Sequence, residues 1–225
     1  MTGPNPVVIG VRRRFGFGAS VAEPVPDQAE PEAQFVPKPQ EVEFSAYGED
    51  CRIFGFWRHD GERLSDALNA TDEFLLHDVL LSALEDGRTT DAREFLVQRH
   101  EILAVRGAGP RGNVARRSRT RPTPVTLQTG PYTIHGYLHG PPGADAVRQI
   151  RRRKPMVPLT EAWIEYPAIG SLHRARVGPI IVNHEALDWI RNSRDEEVST
   201  PSLPAETTID PHAKDLTGYI TTYEG

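Results

Sequence analysis

The sequence predicts a mainly β protein: two tandem small bent-sheet or barrel domains with a short helix each, flanked by disordered tails. Three observations predict it. A stretch of apolar, β-branched and aromatic residues occurs twice, from about Glu43 to Val105 and from about Pro124 to Ile190. Gly55 and Gly136 interrupt the second strand-like run of each copy at the same place. Of the 20 prolines, 12 lie outside the copies, where chain breaks and turns belong.

The copies align with a drifting offset. Adding 81 pairs Phe44 with Val125, Cys51 with Tyr132, Ile53 with Ile134 and Trp57 with Leu138. Adding 82 pairs Leu64 with Ala146 and Leu68 with Ile150, and adding 83 pairs Leu76 with Leu159 and Asp78 with Glu161. At 84, His100 falls on His184, and each is followed by glutamate. The insertions sit where turns are expected and the matches on apolar runs, as in a drifting duplication.

Glu43–Ala46 alternates, Tyr47-Gly48-Glu49-Asp50 supplies turn residues, and Cys51–Trp57 is β-branched or aromatic. This predicts a hairpin, repeated at Val125–Gln128 and Tyr132–His139. A glycine inside a strand marks a bulge or sharp curvature. Leu64 and Leu68, four apart, predict a short helix over Arg63–Asn69. Phe74–Leu84 reads as a strand and Phe95–Val105 as the last one. A unit of roughly 60 residues is marginal alone, so the two copies are expected to bury apolar surface against each other as a pseudo-symmetric pair.

Arg63-Leu64-Ser65-Asp66-Ala67-Leu68-Asn69, Phe74-Leu75-Leu76-His77-Asp78-Val79 and Phe95-Leu96-Val97-Gln98-Arg99-His100-Glu101-Ile102 resemble a family of small bacterial domains of unknown function. Its members carry an RLSDLLN … FLPLTDA … FLLVNRxHI pattern. Met156–Ala162 is similar to the middle block. The second copy departs from the first block with Ala146-Val147-Arg148-Gln149-Ile150-Arg151. The resemblance implies a β-rich bacterial module and lends no catalytic residues.

The expected organisation is a disordered N-terminal arm (1–40), copy 1 (41–106), a basic linker (107–122), copy 2 (123–191) and an acidic C-terminal tail (192–225). The arm is rich in Pro, Glu, Ala and Gln from Val21 to Gln40, a composition that buries no core. Val8 and Ile9 in a β-prone run, with Arg12, Arg13, Arg14, Phe15 and Phe17 after it, suit strand addition to a partner.

Net charge is −5, but the segment from Arg106 to Lys154 holds 11 basic residues against Asp145 alone, and so carries +10. Arg116, Arg117, Arg119 and Arg121 in the linker, with Arg148, Arg151, Arg152, Arg153 and Lys154, are the candidate anion- or partner-binding residues. Arginine forks suit phosphates and carboxylates, so nucleic acid, an acidic surface and the chain's own acidic tails all fit. The lone Cys51 and the lack of a long apolar run point to the cytoplasm and to no membrane span.

Eight histidines are scattered, and none of the zinc, phosphate-loop or nucleophile motifs is complete. Asp66, Asp78, Glu161 and His100 are the acid–base candidates, and Ser65 with Asn69 fits a hydrogen bond at a helix end. No metal, cofactor or small-molecule substrate is called for. The expected protein is a non-catalytic interaction or scaffold protein whose arms dock onto a larger assembly. The alternative is a nucleic-acid binder using the basic segment.

Overall fold

The computed structural model describes residues 40–59, 63–106, 120–199 and 202–206. Five strands come first: β1 (Gln40–Tyr47), β2 (Cys51–His59), β3 (Glu73–Ala83), β4 (Thr89–Gln98) and β5 (Ala104–Arg106). Five more follow: β6 (Arg121–Thr129), β7 (Tyr132–Gly140), β8 (Met156–Ala168), β9 (Ser171–Asn183) and β10 (Trp189–Asn192). The helices are short: α1 (Leu64–Ala70), α2 (Ala146–Ile150) and α3 (Asp195–Val198). All ten strands join one antiparallel sheet in the order β10-β6-β7-β8-β9-β5-β1-β2-β3-β4. The sheet is not closed, which corrects the barrel expectation. It ends at β10 and at β4, where Asp91, Arg93 and Glu94 are exposed, a common protection of a free edge.

Local sequence explains most elements. β1 sends Val42, Phe44 and Ala46 inward, and the turn to β2 closes with Gly48 N–H donating to Cys51 O at 2.8 Å. α1 has no side-chain cap, and the buried pair Leu64 and Leu68 anchors it. α2 is capped by Asp145, whose carboxylate accepts from the Val147 and Arg148 N–H groups. β8 and β9 turn through Ile169 and Gly170, both at positive φ (50° and 71°), which matches the twist of a two-residue hairpin.

The two halves pass through the same sequence of pairings, β5-β1-β2-β3-β4 and β10-β6-β7-β8-β9. Trp57 faces Leu76 as Leu138 faces Leu159, and Phe74 faces Val97 as Val157 faces Val182. Tyr47 faces Ala104 as Gln128 faces Trp189. These pairs correct the sequence alignment near its end. Val97 corresponds to Val182 and Gln98 to Asn183, so His184 lies opposite Arg99 rather than His100. The slip enters β9 near Gly178 (φ 69°), where its register against β8 shifts. Gln98 and Asn183 each open a 3₁₀ turn, at Arg99–Glu101 and His184–Ala186. Phe95–Val105 is likewise not one strand: it is the end of β4, the first of these turns, and β5.

Gly55 and Gly136 face bulges on the neighbouring strands. The register shifts between Phe54 and Phe56 and between His135 and Tyr137, and the bulged residues Asp78 and Glu161 have φ of 47° and 52°. A Cβ on Gly55 would sit 3.0 Å from both His77 O and Val79 Cγ2. A Cβ on Gly136 would sit 3.1 Å from Ala162 Cβ and 3.2 Å from Thr160 O. Asp78 and Glu161, drawn into the acid–base reading by pattern, are thus the residues that bend β3 and β8.

Two apolar cores result. One gathers Phe44, Trp57, Leu68, Phe74, Leu76 and Val97 from the first half, and takes Met156 and Ile181 from the second. The other gathers Leu127, Ile134, Leu138, Leu159, Ile164 and Val182, and takes Tyr47, Leu84, Leu103 and Ala104 from the first. Asn69 binds across the divide: its amide nitrogen donates to Ser65 O (2.7 Å) and Met156 O (2.9 Å), and its oxygen accepts from Met156 N–H (3.0 Å).

Gly55→Ala is expected to lower stability by about 1–3 kcal/mol, because the backbone of β3 cannot yield as a side chain does. Urea denaturation measures it, and an unchanged midpoint contradicts the close approach.

Candidate functional site

Arm residues Val8, Ile9, Arg12, Arg13, Arg14, Phe15 and Phe17 lie outside the described residues, as do linker residues Arg116, Arg117 and Arg119. Arg121, at the start of β6, is exposed. It lines a shallow groove with Thr123, Pro141, Asp145 and Asn192, which brings it to the capped end of α2. Arg148, Arg151, Arg152 and Lys154 are exposed on α2 and the turn after it. Asp145 lies 3.3 Å from Arg148, and both side chains are well exposed, so the pair is weak. Arg153 differs. It is half-buried, donates to His139 O, and its own carbonyl lies 3.1 Å from His184 Nε2. Burial pulls its guanidinium pKa down. It is a strut, and the basic candidates that are exposed are Arg121, Arg148, Arg151, Arg152 and Lys154.

Asp66 and His100 are both exposed. His135 stacks on Trp163 with centroids 3.8 Å apart, its Nδ1 3.0 Å from Thr126 Oγ1. Burial lowers its pKa, so the ring favours the neutral form. His139 Nε2 lies 2.8 Å from Thr160 Oγ1. Among the described residues, no three His, Cys, Asp or Glu side chains converge as a metal site.

Sequence reasoning missed the most strongly built polar cluster. Tyr47, at the end of β1, Tyr132, at the start of β7, and Tyr166, on β8, pack together, with ring centroids 5.3 Å apart for Tyr47–Tyr132 and for Tyr132–Tyr166. Arg52 lies over the Phe54 ring at 4.6 Å. Glu206 is buried among them. It accepts from Tyr47 Oη and, at 3.2 Å, from Tyr166 Oη. Arg52 Nη2 lies 3.0 Å from Glu206 Oε1, an ion pair not aligned as a hydrogen bond, and Arg52 Nη1 donates to Tyr166 Oη at 3.2 Å. The backbone around Glu206 is held as well: its N–H donates to Arg176 O at 3.0 Å, and its carbonyl accepts from Arg106 Nη1 at 3.2 Å.

The electrostatics make this a lock. Burial raises the phenol pKa of Tyr47 well above its ordinary value, and the Glu206 carboxylate raises it further. Burial likewise raises Tyr132, and pushes Tyr166 up to about 12. Burial alone would lower Arg52, but the Glu206 charge and the three phenols together outweigh it and the net shift is upward. Neutral phenols therefore donate to a carboxylate paired with a fixed cation. The described part of the expected acidic tail is built into the fold by this cluster, by α3 with its buried Val198, and by the Arg191–Glu197 ion pair at 2.7 Å.

No family model matches the chain, no curated protein is similar to it, and no solved structure matches its fold. Among the described residues, no helix is long and apolar enough to cross a membrane.

Arg52→Ala strands a buried carboxylate and is expected to cost about 3–5 kcal/mol. Tyr132→Phe is the control: the Tyr132 hydroxyl is buried with no hydrogen-bond partner among the described residues, so its loss leaves the urea midpoint unchanged. Equal effects of the two variants would overturn the lock.

Proposed function

We propose that the protein is a non-catalytic interaction or scaffold protein, a pseudo-symmetric pair of small β domains whose arms dock onto a larger assembly. The supporting observation is the repeated register of the two halves, which gives the chain two like platforms within one sheet. The one enclosed polar cluster described above spends its charges on itself. The docking role of the arms rests on their composition.

The structure sets where the arms can be cut. Glu206 belongs to the core, so a chain lacking residues 1–36 and 207–225 keeps the lock, whereas one ending before Val198 loses it. The shortened chain is expected to melt like the full one and to lose the proteins that co-purify with it, as read by mass spectrometry. Retention of the same proteins would remove the arms from the function.

The exposure of Arg121, Arg148, Arg151, Arg152 and Lys154 favours one alternative, RNA or DNA binding with the linker arginines. Contact with five phosphates gives a slope of log K against log salt of roughly −3.5 to −4.5. A gel-shift series with no complex at low salt eliminates it.

A further inference from the structure

Among the described residues, the strands of the two halves pair at one seam. β5 of the first half pairs with β9 of the second: Ala104 with Val182, Val105 with Ile181, Arg106 with Ile180. Alongside it, Asn69 at the end of α1 binds the backbone of Met156 at the start of β8. Each strand residue has a counterpart in the other half fixed by the pairings already described, and Asn69 has one by the sequence offset of its helix. β10 corresponds to β5, and β4 corresponds to β9. Yet β10 and β4 stand at the two ends of the sheet and pair with nothing further among the described residues.

We propose that a second copy of this chain fills both places: β10 and α2 of one molecule dock head-to-tail on β4 and β3 of another, in the geometry of the internal seam. The proposal starts from the paired-halves reading above, goes beyond it, and does not involve the arms.

The internal seam dictates the register. Trp189 faces Val97, Ile190 faces Leu96 and Arg191 faces Phe95, each pair taking its place from Ala104–Val182, Val105–Ile181 and Arg106–Ile180. The side chains suit these positions. Val97 already belongs to the first core, and Ile190 packs against the second. Leu96 is 55% exposed and Trp189 45%, an unusual state for such residues on an edge, and the pairing covers both. Leu75 on β3, 46% exposed, lies directly across from Leu96 and extends the apolar strip.

The helix contact carries over too, with a change of chemistry. Asn69 corresponds to Arg151, and Met156 corresponds to Glu73. Both Arg151 and Glu73 are exposed. The amide clamp of the internal seam thus becomes an arginine opposite a glutamate between molecules. Charged Asp91, Arg93 and Glu94 guard the other end of β4 and leave the Phe95–Gln98 end for pairing. A contact between unlike surfaces closes into a ring, the smallest a two-molecule ring, or extends as a filament.

Light scattering on the full chain tests it. The expected mass is a multiple of 25.0 kDa, rising with concentration. Leu96→Lys disables the β4 edge and Trp189→Asp the β10 edge, and each variant alone should run at 25.0 kDa with unchanged circular dichroism and melting. Mixed together, the two retain one working edge each and should form a species of twice 25.0 kDa, which misfolded variants cannot do. Arg151→Glu should weaken association at least tenfold, and adding Glu73→Lys should restore it. A wild-type mass of 25.0 kDa up to about 100 µM, whether the edges are bare or covered by the chain's own first 36 residues, overturns the proposal. So does an assembly that both edge variants leave intact. Failure of the arm-deletion experiment alone does not touch it.

Discussion

The fold depends on a three-residue strand. Ala104, Val105 and the partner Val182 are fully buried, and the partner Ile181 nearly so. A strand's side chains alternate between faces, so burial on both faces requires a core on each. Here Ala104 and Val182 enter one core, and Val105 and Ile181 the other. Few hydrogen bonds are available to so short a strand, and its flanks supply more. Leu103 N–H donates to Tyr47 O at 2.9 Å, Asn183 N–H to Leu103 O at 2.9 Å, and the Asn183 side chain to Arg99 O and Ile102 O at 3.2 Å. Without β5 the sheet would fall into a five-stranded piece and a four-stranded piece, each with an apolar face open.

How much of this was legible depends on distance along the chain. The hairpins, α1 and the bulges opposite Gly55 and Gly136 follow from local pattern, because glycine in a strand has few other uses. The equivalence of the halves was readable through β3 and β8. It slipped by one residue in β9, since a His-Glu pair in each copy outweighed an insertion that leaves no mark beyond Gly178. Barrel closure was not readable at all, because it depends on whether two distant edges meet. The sequence also hid the tyrosine–arginine–glutamate cluster. Glu206 sits in a Pro- and Thr-rich acidic segment whose composition resembles a solvated tail, and Arg52 interrupts the otherwise uncharged run Cys51–Trp57.

The charge asymmetry looks different once placed. Of the cations in the +10 segment, Arg153 serves as a strut and Arg106 holds the Glu206 backbone. Arg148 and Arg151, exposed on α2 and the turn after it, stand where the first half carries Asp66 and Asn69 on a helix that packs against β8. The second half has kept Ile150 buried, with Val147 packed against the same core, and leaves Arg148 exposed. The two corresponding helices thus present unlike surfaces at like places in the pairing order, a prerequisite for directional contacts.

Glu206 has a temporal consequence. A ribosome delivers Tyr47 159 residues before the carboxylate that its phenol contacts. Until those residues emerge, Arg52 and the three phenols have no anion to surround, so the first half cannot reach its final form during early synthesis. A nascent chain stalled or cleaved upstream of this glutamate leaves the Arg52 guanidinium without the carboxylate that the full chain places 3.0 Å away.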